Sequence, residues 1–224
     1  MTEVLPPAVR RASGSAAAWL GMVAVGVAVT MLGLLHVLPP SSALDPARRT
    51  ISQYALLDNG WVFDAAVLLL AGGSLSILVA LLGVRLLDGR PGAVAALLLW
   101  CVSLVAVVYF QKHNWAVGPS IDGHIHRVAS VVAFLSLPVA ALISARGRTR
   151  DPASGRYATA TLAAGVVALL CFVPIVVAYL AQPWTGVAWW RAIPLGGVER
   201  ALGLGEIAVI LCLGWWAART GRHP

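Results

Sequence analysis

Charge is scarce in this chain. Only 11% of its 224 residues are Asp, Glu, Lys or Arg, about half the share usual in a soluble domain. Apolar residues make up 59% and the mean hydropathy is +0.84, more apolar surface than a soluble domain of this size can bury. The same figures exclude a disordered chain, which needs low hydrophobicity and high charge. Cysteine is scarce too. Cys101, Cys171 and Cys212 lie inside apolar segments with no CxxC spacing, which excludes a disulfide scaffold and reads as small buried hydrophobes. No basic run exceeds two residues, so the net charge of +7 points to membrane topology and not to a nucleic-acid partner. A phosphate-cradling Gly loop, a Rossmann fingerprint, a CxxCH haem motif, HExxH and a GxSxG elbow are all absent.

What the chain has is apolar length. Six segments approach the ~20 residues that cross ~30 Å of hydrocarbon: roughly 16–38, 61–87, 93–111, 126–146, 158–181 and 199–218. The first is too long for a signal-peptide core of roughly 7–15 residues. The sequence therefore predicts an all-α polytopic membrane protein with one six-helix domain, 16–218, between segments 1–15 and 219–224. The positive-inside rule places Arg10, Arg11, Arg85, Arg90, Arg146, Arg148, Arg150, Arg156, Arg219 and Arg222 in the cytoplasm, hence both termini there and the protein in the plasma membrane.

Acids and histidines collect at the other, outer helix ends. Trp61, Trp115, Trp184, Trp189 and Trp190 fall there as well, as an interfacial belt. In the first outer loop Pro39-Pro40 stops helix one, Asp45 is an N-cap before Pro46, and Ile51, Tyr54 and Ala55 recur at helical spacing. A short amphipathic surface helix is expected over 46–58, ended at Asn59-Gly60. Gly21, Gly26, Gly72, Gly73, Ser74, Ser76, Gly203 and Gly205 mark close helix contacts. Pro138 and Pro174 are expected to break or kink helices four and five.

Three constellations can carry chemistry. His113, Asp122, His124 and His126 are borderline ligands for a divalent metal, although no helical ligand spacing supports them. The plainer reading is hydrogen-bonding groups in a wet vestibule, and no cofactor is predicted. Asp64, Lys112, His126, Arg127, Glu199 and Arg200 sit at outer helix ends, either as ion-pair latches or as a binding site. Arg127 with Glu199 or Asp64 is a natural pair. Glu206, seven residues beyond Glu199, lies on the same face roughly 10 Å deeper. An ionisable group there serves as a proton carrier, a general acid, or a hydrogen-bonded structural residue.

Thr50-Ile51-Ser52-Gln53-Tyr54-Ala55, then Gly123-His124-Ile125-His126, then Glu199-Arg200, together with Lys112-His113-Asn114-Trp115-Ala116-Val117-Gly118-Pro119, resemble the bacterial six-helix membrane proteins grouped as domain of unknown function 998, nearest to their actinobacterial branch. The likeness spans nearly the whole chain. It implies six membrane helices and no established activity. Many members carry Asp near the end of helix three, where this chain has His113, so an acid–base role there does not transfer directly. The matching positions are Ser52, His126, Glu199 and Arg200.

The functional expectation is a vestibule that binds or acts on an amphiphile, a phospholipid or an isoprenoid. Ser52, Tyr54, Lys112, Asn114, Arg127 and Arg200 would hold the head group, and His113, His126, Glu199, Glu206 or Asp64 would act as acid or base. Two other readings stand beside it: a small proton-coupled transporter using Glu206, and a non-catalytic accessory subunit of the membrane. The partner common to all three is the lipid bilayer.

Overall fold

The computed structural model describes residues 7–114 and 116–220, without the side chains of 7–13. The expectations for Arg10, Arg11, Trp115 and Arg222 lie outside what is described. Every regular element among the described residues is helical: α1 (Pro7–Leu34), α2 (Gly60–Gly83), α3 (Pro91–Tyr109), α4 (Ile121–Ala145), α5 (Gly155–Leu170), α6 (Val173–Thr185), α7 (Trp189–Ala192) and α8 (Leu195–Thr220). Two short 3-10 segments, Ser41–Ala43 and Ile51–Leu56, lie between α1 and α2. Because α5 and α6 form one run, Gly155–Thr185, six spans are long and apolar enough to cross a membrane. α2, with 24 residues, is about 36 Å long at 1.5 Å per residue, more than the ~30 Å hydrocarbon layer. The chain is a multi-pass membrane protein.

Each span packs on the next, and α8 closes the ring against α5 and α1 while also touching α2 and α4. Glycines set the tightest seams. A Cβ on Gly21 would lie 2.5 Å from Gly73 O, and one on Gly73 would lie 2.8 Å from Gly21 O, so the two backbones touch as close packing in lipid requires. Ser76 Oγ donates to Ala17 O at 2.8 Å on the same seam. Gly214 admits Met22, and Gly205 admits Ala168. Gly26, Gly72 and Gly203 instead face open space.

Arginines finish the helices at one end of the bundle. Arg90 donates to Ile143 O and, at 2.7 Å, to Arg146 O. Arg148 donates to Leu86 O at 2.5 Å. Ile143 lies in the last turn of α4 and Arg146 and Leu86 lie just beyond helix ends, where carbonyls lack a partner within the helix. The opposite end, made by the close of α1, α3 and α6 and the start of α2, α4 and α8, carries the polar groups described below.

Two expectations are corrected. α4 runs unbroken through Pro138, whereas the fifth span breaks at Cys171–Phe172, just before Pro174 in the first turn of α6. Pro174 has no N–H to give to Leu170 O. Beyond the break α6 buries only Ala178. The second correction concerns 46–58, which is not one helix. A single turn, with Arg49 N donating to Asp45 O at 2.8 Å, is separated by extended Thr50 from the 3-10 segment Ile51–Leu56. The cause is tertiary and is given with the site.

The glycine seam is testable. Gly21→Ala should lower stability by about 1–3 kcal/mol, the usual cost of overpacking. Gly26→Ala should be neutral or gain a few tenths, from helix propensity alone. Thermal unfolding of the two variants in detergent separates them, and equal midpoints would contradict the seam.

Candidate functional site

Glu199 and Arg200 lie in the second turn of α8, and both reach into the α1–α2 connection. Arg200 Nη1 donates to the carbonyls of Pro46 (2.7 Å), Arg49 (2.8 Å) and its own Gly196 (2.9 Å). Its Nη2 donates to Tyr54 Oη at 2.9 Å and its Nε to His36 Nε2 at 2.8 Å. Glu199 Oε2 accepts the Ile51 N–H at 2.8 Å, and Gly197 N–H donates to Ala47 O at 3.1 Å. These bonds take the carbonyls of Pro46, Ala47 and Arg49 and the amide of Ile51, the very groups an α-helix over 46–58 would need for its own ladder. Gly196 permits the approach, since a Cβ there would fall 2.4 Å from Arg49 O. Tyr54 is fully buried beneath the clamp, with the His36 ring edge-on at 5.4 Å.

Lys112 completes this polar layer. Its Nζ donates to Thr50 Oγ1 and, at 3.2 Å, to Ser52 Oγ. Burial pushes the ammonium below the ordinary lysine value of 10.5, while the nearby Glu199 carboxyl opposes that shift.

Below the layer lies a cavity of about 320 Å³. Its walls are mainly apolar: Phe63 and Val67 of α2, Trp100 and Leu104 of α3, Ala133 and Phe134 of α4, Val29 and Leu32 of α1, and Ile207 of α8. Ser52, Glu199, Arg200 and His36 stand at its polar end, and Glu206 lines its deeper wall. Glu206 is 1% exposed, and neither carboxyl oxygen has a hydrogen-bond partner among the described residues. Trp100, by contrast, has its indole N–H satisfied by Ser74 Oγ at 3.0 Å.

The two buried histidines face the α3–α4 connection and do not line the cavity. His126 Nδ1 lies 2.9 Å from both Val107 O and Phe110 O, carbonyls at the end of α3. His113 Nδ1 accepts the Ser120 N–H at 3.0 Å, while Ser120 Oγ caps α4 by accepting the Gly123 N–H at 3.1 Å. A Cβ on Gly123 would fall 2.1 Å from His113 Nδ1, so the glycine lets the ring lie on the start of α4. Burial holds the His113 ring below the ordinary histidine value of 6.5, and His124, Arg127 and Lys112 add to the effect. His113 and His124 meet edge-to-face at 4.8 Å. Among the described residues no group of three or more His, Cys, Asp or Glu is placed to hold a metal, so His113, Asp122, His124 and His126 do not form a ligand set.

The other expected residues scatter. Asp64 is partly buried on α2, away from the cavity lining. Arg127 is exposed on α4, and Asn114 is exposed, its side chain closing a turn onto Ala116 N at 3.1 Å. Ser52, Glu199, Arg200 and Glu206 are therefore brought to one cavity, with Tyr54 and Lys112 packed beside it. The sequence pattern did not bring His36, the ring that accepts from Arg200 Nε, to the site. It also did not gather Phe63, Trp100 and Phe134, which lie on three different helices and share no sequence signal.

A family model described as "protein of unknown function (DUF998)" matches residues 22–216. The chain belongs to that family. The matched span takes in α2 to α7, the last 13 residues of α1, most of α8, and every residue of the clamp, the His113 and His126 contacts and the cavity. No curated protein and no solved structure matches it.

Two outcomes follow for this DUF998 chain. Arg200→Lys cannot reproduce a five-donor fork. Amide exchange over 46–56 should accelerate at least tenfold, about 1.4 kcal/mol of local opening, with α5 amides unchanged; uniform acceleration would point to global destabilisation instead. His113 titrates in the opposite sense to a stabilising cation. Its folded value is depressed, so below about pH 6.5 the open connection binds a proton that the closed one resists, and stability falls as pH drops. Protection of the Ser120 and Gly123 amides should decline from pH 7.5 to 5.5 after correction for intrinsic exchange, and His113→Asn should flatten the profile.

Proposed function

We propose that this protein binds a membrane amphiphile in its α1–α2–α3–α4–α8 cavity, with Glu206 as the group that donates or accepts a proton. One observation carries the reading: an apolar chamber of about 320 Å³ lined by a deep carboxyl, Glu206, whose oxygens meet no donor among the described residues. Apolar walls with a few polar groups are the usual form of a small-molecule site. The walls suit a hydrocarbon or isoprenoid portion, and Glu206 suits a polar one. General acid–base work on a bound lipid is the chemistry such a carboxyl offers. The clamp limits the head group. Arg200 and Lys112 are engaged by the chain's own carbonyls and hydroxyls, so a phosphate would have to compete for them.

A second reading, a proton-coupled carrier, is favoured by the place of Glu206. It sits about midway along α8, which runs Leu195–Thr220, where an ionisable group is costly unless used. For orientation, we take the arginine-rich end as cytoplasmic and the clamp as facing outward across the plasma membrane, from the bias in arginine.

The test is direct. Protein extracted in native-lipid particles should carry an amphiphile enriched about fivefold or more over bulk membrane lipid by mass spectrometry. Ala133→Leu, which fills the chamber from its buried α4 wall, should remove it. Bulk composition in both samples would reject the reading. A C-terminal reporter that matures only in the cytoplasm checks the orientation on the same protein.

A further inference from the structure

The cavity's polar groups divide into those already used and one that is not. Arg200 spends its donors on Pro46, Arg49, Gly196, Tyr54 and His36. Glu199 holds the Ile51 amide, and Ser130 Oγ donates to His126 O at 2.8 Å. Glu206 alone lines the chamber with two oxygens that have no partner among the described residues. Trp100, Phe63 and Phe134 line the same chamber. An anionic ligand would face the Glu206 carboxyl and would have to compete for donors that the chain's own groups already engage, whereas a cationic one would find a carboxylate and aromatic rings, the pairing that recognises organic ammonium groups.

The chamber also has a side opening. In the arginine-end half, α1 and α8 are tightly apposed: a Cβ on Gly214 would fall 2.8 Å from Met22, Trp19 and Trp215 meet at 5.5 Å, and Ser15 Oγ reaches Ala218 O at 3.4 Å. Towards the clamp the two helices part. Gly33 and Gly203 both line the cavity, and a Cβ on either would meet nothing within 4 Å. Leu204 lines it too while 67% exposed. The Arg200–His36 bond closes the cleft above. The gap therefore opens on the lateral face of the bundle, below the clamp.

We propose that the site takes a lipophilic cation, an amine, ammonium or phosphonium with apolar substituents, which passes from the bilayer through the α1–α8 cleft and pairs with Glu206. This rests on the reading that the cavity binds an amphiphile. A proton and the ligand cation are then alternative occupants of one carboxyl.

Three probes of similar shape test it by equilibrium dialysis against the whole protein in nanodiscs: tetraphenylphosphonium (cationic), triphenylphosphine oxide (neutral) and tetraphenylborate (anionic). The proposal expects saturable tetraphenylphosphonium binding, weakened at least tenfold by Glu206→Gln and kept within about threefold by Glu206→Asp, with the borate not bound saturably. Gly203→Leu, which meets open space and should fold, is expected to slow association and dissociation fivefold or more at little change in affinity. Cation binding indifferent to Glu206→Gln, or equal saturable binding of the neutral or anionic probe, overturns the cation class while leaving the amphiphile reading intact. Unchanged rates in Gly203→Leu overturn the route. No saturable binding of any probe, together with bulk lipid composition in the purified protein, rejects the cavity reading itself.

Discussion

One guanidinium organises the polar end of this bundle. Arg200 joins α8 to α1 through His36, to the connecting loop through Pro46 and Arg49, and to the buried Tyr54 beneath it. A loop that close to the hydrocarbon cannot leave its carbonyls unpaired, since each buried orphan costs about 1–3 kcal/mol. Arginine suits the task because it is always charged and its donors radiate in a plane. Glu199, beside it, takes the opposite kind of backbone group, the Ile51 amide. The adjacent acid and base therefore do not form a pair with each other. They read a donor and several acceptors on one segment of backbone, and the segment gives up its own helix to be read.

The same rule governs the rest of the scarce charge. Arg90 and Arg148 satisfy carbonyls at the other end. His126 serves the last carbonyls of α3, and His113 takes an amide at the start of α4. In a bilayer, irregular backbone is tolerated only where protein groups complete its hydrogen bonds. Most of the polar side chains that look chemically active in the sequence are employed in this way. Glu206 is the exception, which is why it and not the histidine cluster carries the functional reading.

The architecture was legible because it follows from composition. Six apolar runs of bilayer length admit few folds, and Gly21, Gly73 and Gly205 could be picked out as small residues within apolar segments, although Gly26, Gly72 and Gly203, named on the same ground, face open space. The family resemblance was legible from three short motifs in order. The loop was not. Ile51, Tyr54 and Ala55 have helical spacing, but their backbone partners are supplied by α8, some 150 positions away, and no local pattern encodes that competition. The break expected at Pro138 failed for a similar reason: Pro138 and Pro174 look alike in sequence, while only the second sits where a span breaks. For the site, Glu206, Glu199, Arg200 and Ser52 could be named from depth and helix position. The aromatic wall could not, because Phe63, Trp100 and Phe134 meet only through packing.

Packing energetics finally constrain what the chamber holds. A cavity of about 320 Å³ left unfilled would deprive its apolar walls of packing contacts. Helices in lipid have no hydrophobic drive to collapse upon each other, and Gly33 and Gly203 leave the cleft between α1 and α8 open to the bilayer. On the proposed reading, bilayer hydrocarbon would fill the chamber at little cost. A purely apolar occupant, however, would leave Glu206 against carbon on every side, where an unsatisfied polar group costs several kcal/mol. The occupant that meets both demands has an apolar body and one polar group at the depth of Glu206, and an amphiphile drawn from the membrane is the molecule of that description.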